Sequence, residues 1–208
     1  LAGTLLETFP SLPRLRLSSI DGAEVDAGLF DLLAHHPRMM PHVHLSLQSG
    51  DDLILKRMRR RHSRADAVGL VARLRAARPD MAIGADIIAG FPTETAEMHA
   101  ANISIISELG IVHGHIFPYS PRPGTPAARM PQVHPQEVRA RAAALREAVA
   151  SQRRAWLEGL IGQPLNVLAE ADGTGHAENF APVRLDPAIA RGEIVAVTPR
   201  TIVEGSLA

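Results

Sequence analysis

Three stretches of the sequence alternate polar and apolar residues, and their polar sides carry side chains that could bind a ligand or take part in catalysis. The stretch "HVHLSLQSGDD" puts His44, Ser46 and Gln48 on one side of a predicted strand and apolar residues on the other. Asp86 in "MAIGADIIAG" and His115 in "IVHGHIFPYS" occupy the polar side of two further stretches. Imidazole, hydroxyl, amide and carboxylate groups on one side of a sheet can hydrogen-bond a polar ligand or hold a metal ion.

A second group is cationic. In "KRMRRRHSR", residues 56–64, six of the nine residues are Lys or Arg, although the formal net charge of the chain is zero. Such a run usually forms a solvated helix face, but it is also a candidate for binding phosphates. If the run is helical, Arg59 and Arg61 point about 100° to either side of Arg60, so that the three cannot share one role.

A metal site is one alternative for the histidines. The pairs in "HVH" and "HGH", with Asp86 between them in the sequence, resemble the ligands of metal-dependent barrel hydrolases. However, His42 and His113 begin their strands, whereas ligands in such barrels belong at the carboxyl ends. We therefore assign no metal ligand and no catalytic residue, and keep the hydrolase as an alternative function.

Composition narrows the class of protein. The 208 residues are 46% hydrophobic and 3% aromatic, which predicts a folded chain with an aliphatic core. There is no cysteine, so disulfides, thiolate catalysis and cysteine-ligated clusters are excluded within this chain. No apolar stretch is long enough to span a membrane and no leader peptide is apparent, so we expect no membrane partner and a cytoplasmic location.

The elements that position these residues alternate along the chain. Strands are predicted at 14–19, 42–49, 81–90 and 111–120, and helices at 26–36, 53–61, 64–78, 93–110 and 135–160. The predicted helix boundaries are Asp51 or Asp52, Ser63, Thr93, Gly110, and His134 followed by Pro135. This alternation predicts parallel βαβ units in an open sheet or barrel, with the polar sides facing a lumen and ligands at the carboxyl ends.

The end of the sequence is different in character. Residues 164–208 contain short strand-like runs separated by Gly, Asp and Pro, which predict a small all-β module similar to an OB barrel. The boundary is expected near "GLIGQP", so we divide the chain into residues 1–160 and 161–208.

Four segments together resemble one family. They are "RLSSI", "HLSLQSGDDLILKRMRRRHSR", "GADIIAGFPTET" and "FPYSPRPGTPAARMP". They are similar, in order and spacing, to segments of the radical SAM methylthiotransferases that modify tRNA. The second is more similar to the branch acting on threonylcarbamoyladenosine beside the anticodon than to the isopentenyladenosine branch, which remains the alternative. The resemblance implies a partial radical SAM (βα) barrel, its parallel strands three to six, followed by an RNA-binding TRAM barrel.

The resemblance also defines what this sequence does not contain. The family holds a [4Fe–4S] cluster through an upstream cysteine triplet and a second cluster on an upstream domain. Clusters of this kind need thiolate ligands, and the chain has none. We therefore expect the chain alone to be inactive, and expect the complete enzyme to use S-adenosylmethionine (SAM), [4Fe–4S] clusters and an electron donor protein.

Residue roles follow from the resemblance and from the chemistry of SAM. Arg60 matches the family position that approaches the SAM carboxylate, which favours a bidentate cation. We expect the remaining SAM contacts from Ser18, Gln48, Ser49, Ile88, Gly90 and Phe117. For the anticodon stem-loop of tRNA we expect contacts from Arg59, Arg61, Arg122 and Arg184. For Arg122 a simple salt bridge is an equal alternative, and an inactive tRNA-binding fragment is an alternative for the whole chain.

Overall fold

The computed structural model describes residues 1–208, which form six helices and two sheets. The helices are α1 (Ala2–Thr8), α2 (Ala27–His35), α3 (Asp52–Arg57), α4 (Arg64–Ala77), α5 (Ala96–Leu109) and α6 (Pro135–Glu158). The first sheet contains β1 (His42–Gln48), β2 (Ala82–Ala89) and β3 (Ile111–Pro118). The second contains β4 (Leu165–Ala169), β5 (Thr174–Ala177), β6 (Pro182–Arg184), β7 (Ile194–Val197), β8 (Ile202–Val203) and β9 (Ser206–Leu207).

The first sheet is parallel, in the order β1-β2-β3, and each strand is followed by a helix. Its apolar side is covered by helices, and Leu45, Leu47 and Ile87 on that side are at most 3% exposed. The opposite side, which we call the polar face, carries His44, Asp86 and their neighbours. The predicted α/β class and the division of the strands into a polar and an apolar side are thus confirmed.

The prediction of a strand at residues 14–19 was wrong, and the sheet has three strands instead of four. Only two isolated parallel bridges, Leu15–Met39 and Ile20–Leu45, pair the backbone of this segment with neighbouring segments. Between them the backbone departs from strand geometry, because Ser19 takes a positive φ of 53°. The polar residues of the alternating pattern contact the second sheet instead: Arg14 Nη2 donates a hydrogen bond of 3.0 Å to the carbonyl oxygen of Asn166.

The helix after β1 is shorter than predicted. Asp51 caps α3 by accepting a hydrogen bond from the Ile54 amide at 2.9 Å, as one of the two predicted caps. The helix then ends at Arg57 rather than continuing through the arginines. Arg59 adopts a φ of 59°, and the amide of Arg60 donates 2.9 Å to the Leu55 carbonyl. This is a Schellman ending, which redirects the chain.

Other predicted helix boundaries are confirmed, with one exception. Ser63 and Asp66 form a reciprocal capping box at the start of α4. Gly110, with φ 55°, ends α5, and His134 caps α6 ahead of Pro135. The exception is α5, for which Thr93 was placed near the start, whereas Thr95 is the cap and the helix begins at Ala96. No helix combines the length and the apolar character needed to cross a membrane.

The second sheet has the order β7-β4-β5-β6-β9-β8 and is antiparallel except for the β6–β9 pair. A small core of its own lies beneath it, containing Val167, Ala177, Val183 and Leu207, each at most 1% exposed. Leu157 from the end of α6 joins that core. The predicted β-rich character of the end of the chain is confirmed.

The two sheets meet at the amino ends of β1 and β3. The ring of Phe180, between β5 and β6, lies 5.0 Å from that of His42 and 5.3 Å from that of His113. The guanidinium of Arg16 lies over the same phenyl ring, 4.5 Å from its centre. The second sheet therefore covers one end of the polar face and leaves the carboxyl end open.

Candidate cofactor and substrate site

The carboxyl ends of the three parallel strands border two adjoining cavities, each of about 400 Å³. We call them together the rim site. Both cavities are lined by Gln48, which ends β1, and by Ile88, near the end of β2. Phe117 and Arg122 line one of them, and the loop after β3 forms their outer wall. Arg59 and Arg60 line the other, so the structure brings together six of the residues predicted from sequence.

Three residues that line these cavities each have a buried side-chain atom without a hydrogen-bond partner. The atoms are Arg57 Nη1, Arg60 Nε and the hydroxyl oxygen of Tyr119. Buried polar groups are normally paired, so unpaired ones in residues beside a cavity point to a polar ligand. Gln48 also has a φ of 69°, and a non-glycine residue in the left-handed region is a strain that clusters at functional sites. Tyr119 was not assigned a role from the sequence.

The arginines of residues 56–64 separate, although not by the helical geometry predicted. Arg60 lies beyond the end of α3, and its Nη2 donates 2.5 Å to the carbonyl oxygen of Ser46. Arg59 is exposed and lines the rim site beside it. Arg61 turns away and pairs with Glu24 at 2.8 Å, beside a different cavity of about 490 Å³ next to α4. The Schellman ending is what sends these neighbours to two sites.

Two predicted residues lie behind the rim site. Ser49 is fully buried, and its hydroxyl donates 2.9 Å to Asn102 Oδ1. Gly90 has a φ of 70°, and a Cβ there would approach a methyl carbon of Val138 within 2.6 Å. Both residues therefore fix the positions of strand ends and line neither cavity of the rim site.

Two other predicted residues lie elsewhere. Ser18 is exposed in the irregular segment before β1 and does not line the rim site. Arg184 lies on β6 in the second sheet, where it pairs with the exposed carboxylate of Glu204. The structure brings neither of them to the strand ends.

Known proteins resemble this chain in sequence. A family profile, that of the Radical SAM superfamily, matches residues 9–103. A relative from Rickettsia prowazekii, named threonylcarbamoyladenosine tRNA methylthiotransferase MtaB, is 50% identical over 202 residues, or 97% of this chain and 48% of the relative. The chain belongs to the radical SAM methylthiotransferase family. It spans about half the length of that relative.

A second branch of the family is also similar. A relative from Paracoccus denitrificans, named tRNA-2-methylthio-N(6)-dimethylallyladenosine synthase, is 41% identical over 146 residues, or 69% of this chain and 33% of the relative. Among solved structures, coproporphyrinogen III oxidase (HemN) from Escherichia coli, described as a Radical SAM enzyme, superposes with a TM-score of 0.53. It is 16% identical over 76% of this chain and 36% of its own, so it supports the fold alone.

The residues present fit one of the groups that radical SAM methylthiotransferases use and not the other. SAM carries a carboxylate, an amine and an adenine, and the rim site offers an arginine with an unpaired Nε, an amide and apolar side chains. A [4Fe–4S] cluster requires thiolates, and the chain contains no cysteine. No side chain of this chain can therefore hold the cluster in the usual way.

A buried ion pair that sequence reasoning missed holds the strand ends. Glu94 is 0% exposed at its side chain, and its Oε1 accepts hydrogen bonds from Arg141 at 2.8 Å and from the Gly90 amide at 3.2 Å. Its Oε2 accepts a hydrogen bond of 3.2 Å from Asn102 Nδ2, and Asn102 Oδ1 in turn accepts one from the Ser49 hydroxyl. Burial raises the pKa of Glu94, and Arg141 opposes that shift. Arg141 stands on the buried side of α6, and this break in an apolar pattern was the available signal.

One histidine of each sequence pair contacts Asp86, and the other lies at the amino end of the polar face. Asp86 Oδ1 lies 2.9 Å from His44 Nε2 and 3.1 Å from His115 Nδ1. His42 and His113 instead lie in the aromatic contact with Phe180. Burial lowers the pKa of His42 to about 3 and that of His113 to about 2, with smaller effects from nearby charges, so both are neutral.

Proposed function

We propose that the chain is part of a SAM-dependent tRNA methylthiotransferase acting on C2 of N6-threonylcarbamoyladenosine beside the anticodon. The observation that carries the proposal is the rim site, with its three unpaired polar atoms, in a chain 50% identical over 97% of its length to a relative of that name. The isopentenyladenosine branch is the second candidate, and its lower identity of 41% makes it the less favoured.

The proposed division of labour follows the cavity walls. Arg60, held by the Ser46 carbonyl, keeps an unpaired Nε for the SAM carboxylate. Gln48 hydrogen-bonds the ribose or amino acid part, and Ile88 and Phe117 form an apolar slot for the adenine. Gly90 acts indirectly, by fixing the end of β2 against Val138.

The remaining residues expected to bind SAM act indirectly under this proposal. Ser49 holds the end of β1 through Asn102. Ser18 reaches SAM only if the segment around Ser19 moves toward the rim site. When bound, the cluster supplies the electron that cleaves SAM, and its ligands and the electron donor protein come from outside these 208 residues. We propose that the chain alone has no methylthiotransferase activity.

For tRNA we propose the exposed arginines around the rim site, Arg59 and Arg122, as the nearest phosphate contacts. Arg61 and Arg184 are further candidates, although each is paired with a glutamate. We propose that residues 161–208 form a TRAM-like RNA-binding barrel attached to a partial radical SAM barrel of residues 1–160. The anticodon stem-loop would then contact both units.

The test is SAM affinity, measured by calorimetry in the cluster-bearing enzyme. Arg60→Ala should weaken SAM binding, because a charged hydrogen bond to a carboxylate contributes roughly 1.5–3 kcal/mol. Arg61→Ala is the matched control, since it is the next arginine along the chain but lines a different cavity. Equal SAM affinity for both variants and the parent would remove Arg60 from the site. Transfer of a methylthio group to isopentenyladenosine tRNA but not to threonylcarbamoyladenosine tRNA would favour the second candidate.

A further inference from the structure

A cluster of three potential metal ligands lies on the polar face, beneath the rim site, and contains none of the residues proposed to bind SAM. One ligand atom from each of His44, Asp86 and His115 lies within 4.8 Å of the other two. They come from three adjacent parallel strands, and Asp86 stands directly opposite His115 in the strand register. The second histidine of each sequence pair meets Asp86, whereas the sequence led us to assign no metal ligand, because the first histidines begin their strands, and to keep a metal site only as an alternative.

The separations are close to those of a coordination sphere. Asp86 Oδ1 lies 2.9 Å from His44 Nε2 and 3.1 Å from His115 Nδ1. Ligands about 2.0–2.1 Å from a tetrahedral zinc ion are separated from each other by roughly 3.3 Å. These two separations are a few tenths of an ångström below that value, and the third, between the ligand atoms of His44 and His115, is at most 4.8 Å. Small adjustments of the three side chains, above all of the exposed ring of His115, are therefore needed to place an ion between them.

The backbone opposite His44 is shaped for its ring. A Cβ on Gly84 would lie 2.3 Å from His44 Nδ1, which no side chain permits. Gly84 is paired with His44 in the register of β1 and β2. The absence of a side chain at Gly84 lets the imidazole lie across β2 and aim Nε2 at Asp86. This observation is independent of the distances between the ligand atoms.

Two of the three potential ligands are held by packing, and the third is exposed to solvent. The side chains of His44 and Asp86 are 7% and 18% exposed, so packing holds two of the ligands in place. His115 is 65% exposed at its side chain and leaves one side open to solvent, where a fourth ligand such as water can bind. Asp86 and His115 precede Ile88 and Phe117 by two residues, so the cluster lies roughly 7 Å below the rim site.

We propose that His44, Asp86 and His115 bind a divalent first-row transition-metal ion, with zinc as the expected ion. Two imidazoles and one carboxylate suit zinc, and they exclude calcium and magnesium as preferred ions, since those favour all-oxygen ligands. The site needs neither SAM nor a cluster, so the proposal stands or fails separately from the proposed function.

The test uses the 208-residue chain, whose lack of cysteine removes competing thiolates. Zinc sulfate is titrated by calorimetry, and cobalt(II) chloride is titrated in parallel to detect a visible d–d absorption band. We expect one ion per chain, and at least about tenfold weaker binding in Asp86→Asn and His115→Ala, because each loses one of three ligands. His115→Ala alters an exposed side chain, so it should fold even if a change at His44 does not.

The matched control is His35→Ala, because His35 lies 4.0 Å from a single exposed carboxylate, that of Asp31, and belongs to no group of three potential ligands. This variant should bind zinc as the parent does. Weaker zinc binding in Asp86→Asn and His115→Ala, with no change in His35→Ala, supports the site. Equal zinc affinity in the parent, Asp86→Asn and His115→Ala, or no binding to the parent, would overturn it and leave a hydrogen-bonded cluster only.

Discussion

At the amino ends of β1 and β3, His42 and His113 lie beneath Phe180 of the second sheet, and His42 is 3% exposed. At the carboxyl ends of the same strands, Phe117 is 50% exposed and Gln48 borders an open cavity. Both ends belong to one polar face. The difference between them is what covers each end, so the alternation of polar residues in a strand does not by itself locate a binding site.

The unpaired polar atoms at the two ends also have different meanings. Neither ring nitrogen of His42 has a partner, and the pKa of that residue is depressed because burial disfavours its charged form. The unpaired atoms at the carboxyl end belong to Arg60 and Tyr119, residues that line the larger, open cavities of the rim site. His113 Nε2 at the amino end is also unpaired, and its residue lines a smaller cavity of about 280 Å³, so an unpaired atom alone does not identify a ligand site.

The largest expected difference between the ends is in stability. Phe180→Ala should lower the free energy of unfolding by roughly 2–4 kcal/mol, because the ring packs on two histidines and an arginine. Phe117→Ala should change it by less than about 0.5 kcal/mol, since surface substitutions rarely do more. Urea denaturation of both variants measures this. A destabilisation of Phe117→Ala equal to that of Phe180→Ala would mean that the carboxyl end is also closed.

The next difference concerns ligand binding at the open end. Gln48→Ala should weaken SAM binding by the cluster-bearing enzyme by up to about tenfold, because one hydrogen bond contributes about 1 kcal/mol. Ser18→Ala, which alters an exposed residue outside the rim site, should have no effect if the present geometry persists in that enzyme. Calorimetric SAM affinities test both. A reversed order would show that the segment around Ser18 moves to the strand ends.

Low pH should destabilise the fold through the buried histidines at the amino end, His42 and His113. The pKa values of His42 and His113 are about 3 and 2 in the folded chain and near 6.5 when unfolded, so the unfolded state takes up protons first. Their contribution to stability is complete above about pH 6.5 and is lost as the pH falls, by at most about 1.4 kcal/mol per pH unit for each histidine. Urea denaturation between pH 7 and about 4.5 should show this slope.

The slope has its own control pair. His42→Gln should flatten it, whereas His35→Gln, whose native side chain is 60% exposed, should leave it unchanged. Only the dependence on pH is compared, because His42→Gln can also change stability at neutral pH. Parallel slopes in His42→Gln and the parent would show that the buried histidine is not the group responsible.

The smallest differences are expected among surface arginines. Arg59→Ala should reduce the log–log salt slope of tRNA binding by about one unit if Arg59 neutralises one phosphate. Arg184→Ala removes an exposed pair with Glu204 and should change stability by less than about 0.5 kcal/mol. Filter binding at several salt concentrations measures the slope, and urea denaturation measures the stability of Arg184→Ala. An unchanged slope in Arg59→Ala would make that arginine a solvated residue only.

Local features of the fold could be predicted because the residues that decide them are near in sequence. Ser63 with Asp66, Gly110, and His134 with Pro135 set helix boundaries through contacts within one turn. The strand predicted at residues 14–19 failed for the opposite reason. Its arginine side chains donate to carbonyl groups more than 150 positions away, in the second sheet, and its backbone makes only isolated bridges to its neighbours.

The candidate site was predicted in part for the same reason. Gln48, Ile88 and Phe117 meet because parallel strands place their carboxyl ends at one edge, which the order of elements implies. The separation of Arg60 from Arg61 depends on the Schellman ending of α3. The pairing of Glu94 with Arg141 joins positions 47 residues apart, and no local pattern specifies it.

By itself the sequence determined the alternation of strands and helices, the sides of the strands that are buried, most helix caps and, through its motifs, the family. Tertiary structure alone decided which end of the polar face is open, which histidine of each pair meets Asp86, and which arginines border the rim site. The physical reason is that burial periodicity and capping act over a few residues. Covering, cavity formation and the assembly of ligand atoms instead depend on distances between segments far apart in the chain.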